Sequence, residues 1–513
     1  METAEIHAVD WVVVGVYLVG IATLGRYFAR RQRNTQDFFL GGRQIPWMAV
    51  ALSVMASLAS TVGYLGDPGE VIQHGVGILW RQVGLPFGAV VTIFVIVPYF
   101  QRAKVTTAFE LLRTRFGRKT ERLGVAIWAY MQVAFLGLVL LLASRLIAQM
   151  TGLHNWLVIA AIGAASLLYT SAGGMRSVVW TDVIQFCILA SGAVVTLAVV
   201  GWKTGTGFPS WWHEVSAGTH ELPPLFSWDL TVRHTVVGAI LFRLVIDFSY
   251  NTSEQVVVQR YFATPRARLM MLANYVVGAC FTLLITFVGA ALLVYYHNVE
   301  GALPEGVADV TDPDFADRTF PYFIANHLPI GLTGLVIAAL LGAAQSTIDS
   351  GLNSLTAVVS RNIVPANRRE KSEQSELKFA RRVTRSIGVG VIMMAILADS
   401  IPGTNNIVDI AQKLVHLGLG PMGAVFFVAM FLPYVGERAI NGSLVLGVLW
   451  ALLYACDWFS MDIYLTGEKA GWTSISPLLL VPGSFLITIV FAVGSVILRQ
   501  FIRIFWRLLL PSG

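Results

Sequence analysis

The sequence contains little charge for its length. Of its 513 residues only 13% are charged, whereas 56% are apolar. A soluble domain usually carries about 25% charged residues, so this composition excludes an ordinary soluble enzyme and a disordered chain. Because a helix needs about 20 mostly apolar residues to cross a bilayer, the apolar content limits the chain to about fourteen spans.

Cysteine is also scarce. The three cysteines, Cys187, Cys280 and Cys456, lie in or beside apolar runs. Their spacing matches neither a metal-binding pattern nor a paired framework, which excludes a secreted module built on disulfides. Residues 1–10 lack a basic region and a small-residue cleavage site, so we do not expect a removed signal peptide.

Thirteen apolar segments predict an all-α polytopic membrane protein. An odd number of spans places the two ends of the chain on opposite sides. With the N-terminus outside, 28 of the 36 lysines and arginines fall in loops on the inside, as the positive-inside rule requires. We therefore expect a multi-pass protein of the plasma (inner) membrane with a cytoplasmic C-terminus. The predicted spans are residues 9–28, 46–73, 78–100, 122–150, 155–171, 177–202, 232–253, 268–296, 328–360, 383–401, 405–434, 440–456 and 475–498.

The second span contains residues that are unusual for a membrane helix. Glycine and proline at the density found here favour an unwound backbone. A broken membrane helix exposes free carbonyls and a helix end to a cavity, where they can hold a cation or a polar solute. The alternative is a plain kink followed by a short outer loop. The residues concerned are Ser57, Ser60, Thr61, Gly63, Gly66, Asp67, Pro68 and Gly69.

A further polar segment lies within the span 328–360. Ala343, Ser346 and Thr347 are spaced three and four residues apart, so they share one helical face. Two hydroxyls beside a backbone carbonyl suit a hard monovalent cation. The alternative is that the hydroxyls serve helix packing, which is their commoner use in membrane helices.

Asp182 lies inside the span that follows the glycine pair Gly173 and Gly174. The two glycines predict a tight turn between spans. An acid at this depth is costly unless it has a partner. Two roles stay open for Asp182, namely an ion ligand or a structural group that packs against Thr181 or an interior basic residue.

Four motifs occur in order along the chain. They are Phe38-Phe-Leu-Gly-Gly-Arg-Gln-Ile-Pro46, Gly173-Gly-Met-Arg-Ser-Val-Val-Trp-Thr-Asp182, Gln255-Val-Val-Val-Gln-Arg260 and Ala344-Gln-Ser-Thr-Ile-Asp-Ser-Gly-Leu-Asn-Ser354. Together with the thirteen oriented spans, they make the sequence resemble the sodium:solute symporter family. That family includes sodium-coupled carriers of sugars, iodide, monocarboxylates, vitamins and sialic acid.

The resemblance implies a LeuT-like core of two inverted five-helix repeats with additional outer helices. It divides the chain into an N-terminal outer helix and cytoplasmic loop, a first repeat, an extracellular loop, a second repeat, and two final helices with a basic tail. The corresponding ranges are 1–45, 46–202, 203–231, 232–434 and 435–513.

The resemblance also implies a sodium site between the broken helix and the serine-rich helix. Its expected ligands are the carbonyls of Ala56, Ala59 and Ala343 and the hydroxyls of Ser346 and Thr347. Some relatives bind a second sodium near the residue that matches Asp182. Ala343 stands where a serine hydroxyl would support that second site, so we expect one Na⁺ per cycle and no other metal.

The same register implies a central substrate cavity. Asp247 and Gln82 suit a sugar, whereas Arg81 and Arg145 suit a carboxylate, which a guanidinium can bind through two hydrogen bonds. Arg243 and Asp247 are four residues apart, so an internal ion pair is the alternative for Asp247, and Arg81 could instead reach lipid headgroups. The expected lining residues are Ser57, Ser60, Thr61, Gly63, Arg81, Gln82, Arg145, Asp247 and Tyr250.

The expected function is sodium-coupled import of a small polar solute by alternating access. An organic anion, such as a monocarboxylate or a sugar acid like sialic acid, ranks before a neutral sugar or polyol.

A non-transporting solute sensor on the same scaffold is the alternative of another class, although the chain ends at Gly513 without a fused signalling domain. We expect no enzyme, because Tyr64 disrupts the only protease-like pattern. The expected partners are the solute, sodium and the bilayer, without nucleic acid or an obligate protein partner.

Overall fold

The structure is a computed structural model. It describes residues 7–30, 32, 34–59, 61–75, 79–103, 105–217, 236–307, 309–316, 318–364, 372–400, 417–455 and 480–509. Ser60 lies outside these ranges, and so do residues 218–235 and 456–479.

The described residues form helices throughout. The first part contains α1 (Ala8–Ala29), α2 (Thr35–Leu40), α3 (Trp47–Leu58), α4 (Thr61–His74), α5 (Trp80–Val83), α6 (Leu85–Val91), α7 (Val97–Ala103), α8 (Ala108–Arg115), α9 (Arg118–Thr151), α10 (Asn155–Thr204) and α11 (Phe208–Ala217). The second part contains α12 (Val236–Ser253), α13 (Gln255–Tyr261), α14 (Ala267–Asn298), α15 (Pro313–Ala316), α16 (Thr319–Asn326), α17 (Leu332–Val358), α18 (Glu373–Asp399), α19 (Leu419–Phe431), α20 (Glu437–Ala455) and α21 (Leu480–Leu509). Short π-helical turns join α6 to α7 and extend α17.

Within the described ranges, seven helices are long and apolar enough to cross a membrane, and one bent pair brings the number to eight. Several predicted spans, such as 232–253 and 405–434, run partly through residues that are not described. The all-α membrane architecture is therefore confirmed, whereas the number thirteen stays a prediction.

The two predicted spans 155–171 and 177–202 lie in α10, whose 50 residues comprise two helices that meet at a kink. At Gly174 its backbone has φ 54° and ψ −160°, a conformation that is essentially restricted to glycine. A Cβ atom there would lie 2.7 Å from the carbonyl oxygen of Phe38. The turn predicted at the glycine pair is therefore present, as a break in the helical backbone at Gly174 with a helix on either side.

The broken helix is present, but its break lies earlier than glycine and proline content predicts. The axes of Trp47–Leu58 and Gly63–His74 differ by 64°, whereas Pro68 lies inside α4. Helix α4 packs closely on α14 at this proline, because a Cβ atom at Gly289 of α14 would lie 2.7 Å from the carbonyl oxygen of Pro68. The prediction that the glycine and proline cluster itself unwinds is therefore wrong.

Helix α17 forms the centre of the molecule. In its membrane-spanning window 89% of the residues are buried, compared with 28% for α1. It packs against α1, α3, α9, α10 and α18. Since every side of α17 faces protein, its polar side chains must find partners inside the fold.

Candidate functional site

The predicted cation ligands come together where α3 ends beside the middle of α17. The Ser346 hydroxyl donates to the carbonyl oxygens of Ala56 and Ala343, each at 2.9 Å. The Thr347 hydroxyl lies 3.1 Å from the Ala343 carbonyl oxygen and 3.4 Å from that of Ser57. Four of the five predicted ligands therefore share one buried contact between the two helices.

The fifth predicted ligand, Ala59, lies at the break. It follows the last helical residue Leu58 and has ψ 79°, and its amide donates to the Met55 carbonyl at 2.8 Å. Carbonyls in the last turn of a helix have no partner in the following turn. The break thus turns backbone oxygens towards the hydroxyls of α17.

The chemistry of this contact fits a monovalent cation. Its oxygens are carbonyls and hydroxyls without formal charge, which hard cations accept. Groups of three or more histidine, cysteine or acidic residues that could hold a metal ion are not found in the described part of the chain. Neutral oxygens at a helix break are typical of sodium sites in membrane transporters.

A buried ion pair lies directly beside this contact. The Arg260 guanidinium is 1% exposed, and its Nη2 atom lies 3.0 Å from Asp182 Oδ2. The same Nη2 donates to the hydroxyls of Ser57 at 2.8 Å and Ser350 at 2.7 Å, and Nε donates to that of Ser53 at 3.0 Å. One guanidinium therefore joins α3, α10, α13 and α17.

The sequence predicted that Arg260 lies in a loop, 260–268, whose basic residues only set the orientation in the membrane. This prediction is wrong for Arg260, which is 1% exposed. The motif that contains Arg260 lies in the short helix α13, and the Arg260 side chain is buried inside the protein instead of lying on its surface. Of the two roles left open for Asp182, the contact with an interior basic group is the one observed. The signal in the sequence was an arginine next to glutamine at the end of an apolar run.

Asp349 is a second buried acid, which the sequence analysis did not select. It is fully buried in α17 and accepts hydrogen bonds from the hydroxyls of Thr170, at 2.7 Å, and Tyr169. These donors lie on the first half of α10, before its kink. An acid within the apolar span 328–360 was the available signal, since such residues are rare in membrane helices unless they have a role.

The predicted substrate residues of the broken helix lie near the ion contact. Ser57 is buried and its hydroxyl donates to the Ser53 carbonyl at 2.8 Å. The Thr61 hydroxyl lies 3.4 Å from the Leu340 carbonyl, and Gly63 is half-buried in α4. Ser60 lies outside the described residues.

Two charged residues predicted for the cavity, Arg145 and Asp247, form ion pairs. Arg243 Nε lies 2.9 Å from the Asp247 carboxylate, which is buried against α6. Arg145 Nε lies 3.0 Å from Asp399 Oδ1. The internal pairing of Arg243 and Asp247, left open from the sequence, is thus what the structure contains.

Two further predicted cavity residues, Gln82 and Tyr250, are half-buried. Gln82 lies in α5, and its buried Oε1 atom has no hydrogen-bond partner. Tyr250 is half-buried in α12. The backbone of Arg81 belongs to α5, whereas its side chain lies outside what is described.

Known proteins resemble this chain in sequence over most of its length. The model of the sodium:solute symporter family matches residues 38–447. The sodium/sialic acid symporter SiaT of Proteus mirabilis is 27% identical, with 88% of this chain and 90% of that protein covered. The human sodium/iodide cotransporter is also 27% identical, over 83% of this chain and 66% of its own length.

Solved structures share the fold. A substrate-bound, outward-open sodium-coupled sialic acid symporter matches with a TM-score of 0.80 and 22% identity, and the match covers 96% of this chain and 98% of that one. The nucleobase-cation-symport-1 transporter MHP1 matches with a TM-score of 0.56 and 14% identity, with coverages of 90% and 94%. The LeuT-like architecture expected from the sequence is confirmed by these matches.

Proposed function

The chain belongs to the sodium:solute symporter family, and from this premise we propose that it imports a small organic anion together with sodium. The observation that carries the proposal is the meeting of the Ser346 and Thr347 hydroxyls with the carbonyls at the end of α3. Sodium would replace the hydrogen bonds that these hydroxyls now donate to Ala56, Ala343 and Ser57. We propose no catalytic activity for the chain.

The proposed sodium ligands are the carbonyls of Ala56, Ala59 and Ala343 with the hydroxyls of Ser346 and Thr347. The ion would hold the broken end of α3 against α17 and so order the adjoining solute cavity. Closure over both ligands, followed by opening to the cytoplasm, would release them inside. The inward sodium gradient then drives the solute across, since neither is released without the other.

One sodium per cycle is part of the proposal. A second sodium at Asp182 would have to share that carboxylate with Arg260, whose guanidinium lies 3.0 Å from Oδ2. A sodium ion on the same carboxylate would lie close to the guanidinium, and two positive charges so near each other repel strongly in a low-dielectric interior. The guanidinium supplies the positive charge that a second sodium would bring.

Sialic acid is the first solute to test. Two relatives with 27% identity are named sodium/sialic acid symporters, and other relatives are named monocarboxylate transporters. We propose that Ser57, Ser60, Thr61, Gly63, Arg81, Gln82, Arg145, Asp247 and Tyr250 line the solute cavity. Gln82, with its unpartnered Oε1, would bind a hydroxyl or an amide of the solute.

A neutral sugar or polyol is the second candidate. The ion pairs Arg243–Asp247 and Arg145–Asp399 neutralise Asp247 and Arg145, two of the charged residues proposed for the cavity. A cavity without net charge would suit a solute with many hydroxyls. The two candidates differ in the role of Arg81, because only the anion would need its charge.

A thermal-shift screen of the purified protein tests the solute class. Sialic acid, lactate, glucose and myo-inositol would each be added in sodium or in potassium buffer. Sialic acid should raise the melting temperature more in sodium, because each ligand stabilises the state that binds the other. Stabilisation by every solute equally in both salts would refute coupled binding, and a sodium-dependent shift with myo-inositol alone would favour the second candidate.

We further propose that the N-terminus faces the outside and the C-terminus the cytoplasm. The support is the distribution of basic residues among the loops. Single cysteines at the exposed positions Glu300 and Glu373, in a background without the three native cysteines, test it. An impermeant thiol reagent should label Glu300→Cys in intact cells and leave Glu373→Cys unlabelled; the reverse pattern would overturn the orientation.

A further inference from the structure

Helix α1 contacts the helix that carries the proposed sodium hydroxyls at two separate places. It precedes residues 38–447, which the family model matches. Near its start, the Asp10 carboxylate accepts the amides of Gly331 and Gly334 at 2.8 Å and 2.7 Å. These amides belong to the first turn of α17, which has no other acceptors for them along the helix. Asp10 therefore caps α17 from a different helix.

The second contact lies two turns further along α1. The Tyr17 hydroxyl donates to Gln345 Oε1 at 2.6 Å and accepts from Gln185 Nε2 of α10 at 3.2 Å. Tyr17 is 7% exposed and Gln345 is 1% exposed. This relay of three side chains thus ties α1 and α10 to the residue that precedes Ser346.

The position of Gln345 makes this relay relevant to the sodium site. Neighbouring residues of a helix move together, because each turn contains only 3.6 residues. A rotation of α17 that carries Gln345 away from Tyr17 also carries Ser346 away from the Ala56 carbonyl, which it contacts at 2.9 Å. The hydrogen bonds from Asp10 fix the position of α17 along its axis, and the hydrogen bond from Tyr17 fixes its rotation about that axis.

We propose that Tyr17 is a positioning residue for the sodium site and sets the rotation of α17 through Gln345. The inference rests on the proposed function, since it assumes that Ser346 binds the coupled ion. Tyr17 itself does not touch the ion. Its loss should weaken sodium binding and leave solute binding at saturating sodium unchanged, since the Tyr17 hydroxyl bonds to Gln345 and Gln185 and to none of the proposed cavity residues.

The test uses Tyr17→Phe, which removes only the hydroxyl and keeps the ring. In proteoliposomes containing the full chain, we expect about a five-fold rise in the sodium concentration for half-maximal uptake. The maximal rate, and the solute KM at saturating sodium, should stay at wild-type values. Tyr130→Phe is the matched control, because Tyr130 is 67% exposed on α9.

A second variant tests the same relay from its other end. Gln345→Met removes the acceptor, and its effect on the half-saturating sodium concentration should equal that of Tyr17→Phe. The double variant should be no worse than either single one, because both remove the same interaction. If either single variant folds poorly, the other still measures the relay, and sodium-induced thermal stabilisation of the purified protein gives a readout without transport.

The outcomes separate this inference from the proposed function. If wild-type uptake depends on sodium, three results overturn the positioning role only. In the first, Tyr17→Phe leaves the half-saturating sodium concentration unchanged. In the others, Tyr17→Phe lowers only the maximal rate, or the effects of the two variants add in the double variant. A wild-type protein whose uptake ignores sodium overturns both. Ser346→Ala serves as the reference that must shift if the sodium site is correct.

Discussion

The Ser346 hydroxyl bridges two backbone carbonyls from different helices. Replacing it by alanine would remove one of two side-chain oxygens from the proposed sodium site. We predict that Ser346→Ala raises the half-saturating sodium concentration roughly ten-fold, since one ligand contact contributes on the order of 1.4 kcal/mol. Uptake measured over a range of sodium concentrations checks this expectation.

Ser191→Ala is the matched control for that variant. The Ser191 hydroxyl also donates to the carbonyl three residues earlier, that of Ile188, at 2.8 Å, and this bond stays within α10. Its sodium dependence should equal that of the wild type. Equal shifts in both variants would show that the effect comes from losing a helical serine in general.

The Arg260–Asp182 pair is the second residue-scale feature. Breaking a buried pair leaves one charge without compensation, at a cost of about 3–5 kcal/mol. We predict that Arg260→Met lowers the melting temperature sharply and that Asp182→Asn added to it restores much of the loss. Thermal unfolding of the purified variants measures both steps.

Arg145→Met is the comparison for this pair. Its partner is Asp399, and the two side chains are 28% and 25% exposed, so solvent screens their attraction and the loss should be about 1 kcal/mol or less. A larger drop for Arg145→Met than for Arg260→Met would contradict the central position assigned to Arg260.

Single-residue roles were only partly predictable from the sequence. Helical spacing placed Ser346 and Thr347 on one face because three- and four-residue intervals meet in any helix. The partners of Asp182 were not predictable, because Arg260 reaches it across 78 residues of chain and through the fold of α13. Tyr17 and Gln345 are separated by 328 residues, and no local pattern joins them.

At the scale of helices, the kink of α10 restricts the residue type at position 174 most strongly. Gly174 adopts a conformation that costs a residue with a side chain about 1–3 kcal/mol, and the Phe38 backbone leaves no room for a Cβ atom. We predict that Gly174→Ala lowers the melting temperature and the yield of folded protein. Thermal unfolding in detergent measures the change.

Gly390→Ala controls for a glycine-to-alanine change in a helix of this protein. A Cβ atom at Gly390 of α18 would meet nothing within 4 Å. Alanine should be neutral or slightly stabilising there, because it favours the helix. If Gly174→Ala behaved in the same way, the kink would not depend on glycine.

Helix type was predictable from apolar runs, and the junction of two spans at Gly174 was predictable from the glycine pair. The position of the break before α4 was not. A glycine and proline cluster suggested the wrong position for the break, because packing of α4 on α14 keeps Pro68 in a helix. Tertiary contacts decide this point, and a single sequence does not contain them in local form.

At the scale of the whole molecule, the scarce charges divide into two groups. Most basic residues lie in loops and fit an orientation, whereas Arg260 and Asp182 meet inside the protein. One sodium moving with a monovalent anion carries no net charge. We predict that an imposed membrane potential leaves the accumulation of sialic acid unchanged in proteoliposomes.

A potassium gradient with valinomycin provides that potential, and the sodium gradient is held constant. Two sodium ions per anion would move one net charge, and 100 mV would then change accumulation about fifty-fold. Such a dependence would contradict a single sodium per cycle and would favour a second sodium ion bound at Asp182.

Sodium-driven uptake into liposomes that contain only this protein tests the symport mechanism most directly. The solute is the one whose binding sodium strengthens, and an inward sodium gradient is compared with an equal potassium gradient. We predict transient accumulation above the external concentration with sodium, none with potassium, and a higher sodium requirement in Ser346→Ala. Equal uptake under the two gradients would contradict sodium coupling through the contact between α3 and α17.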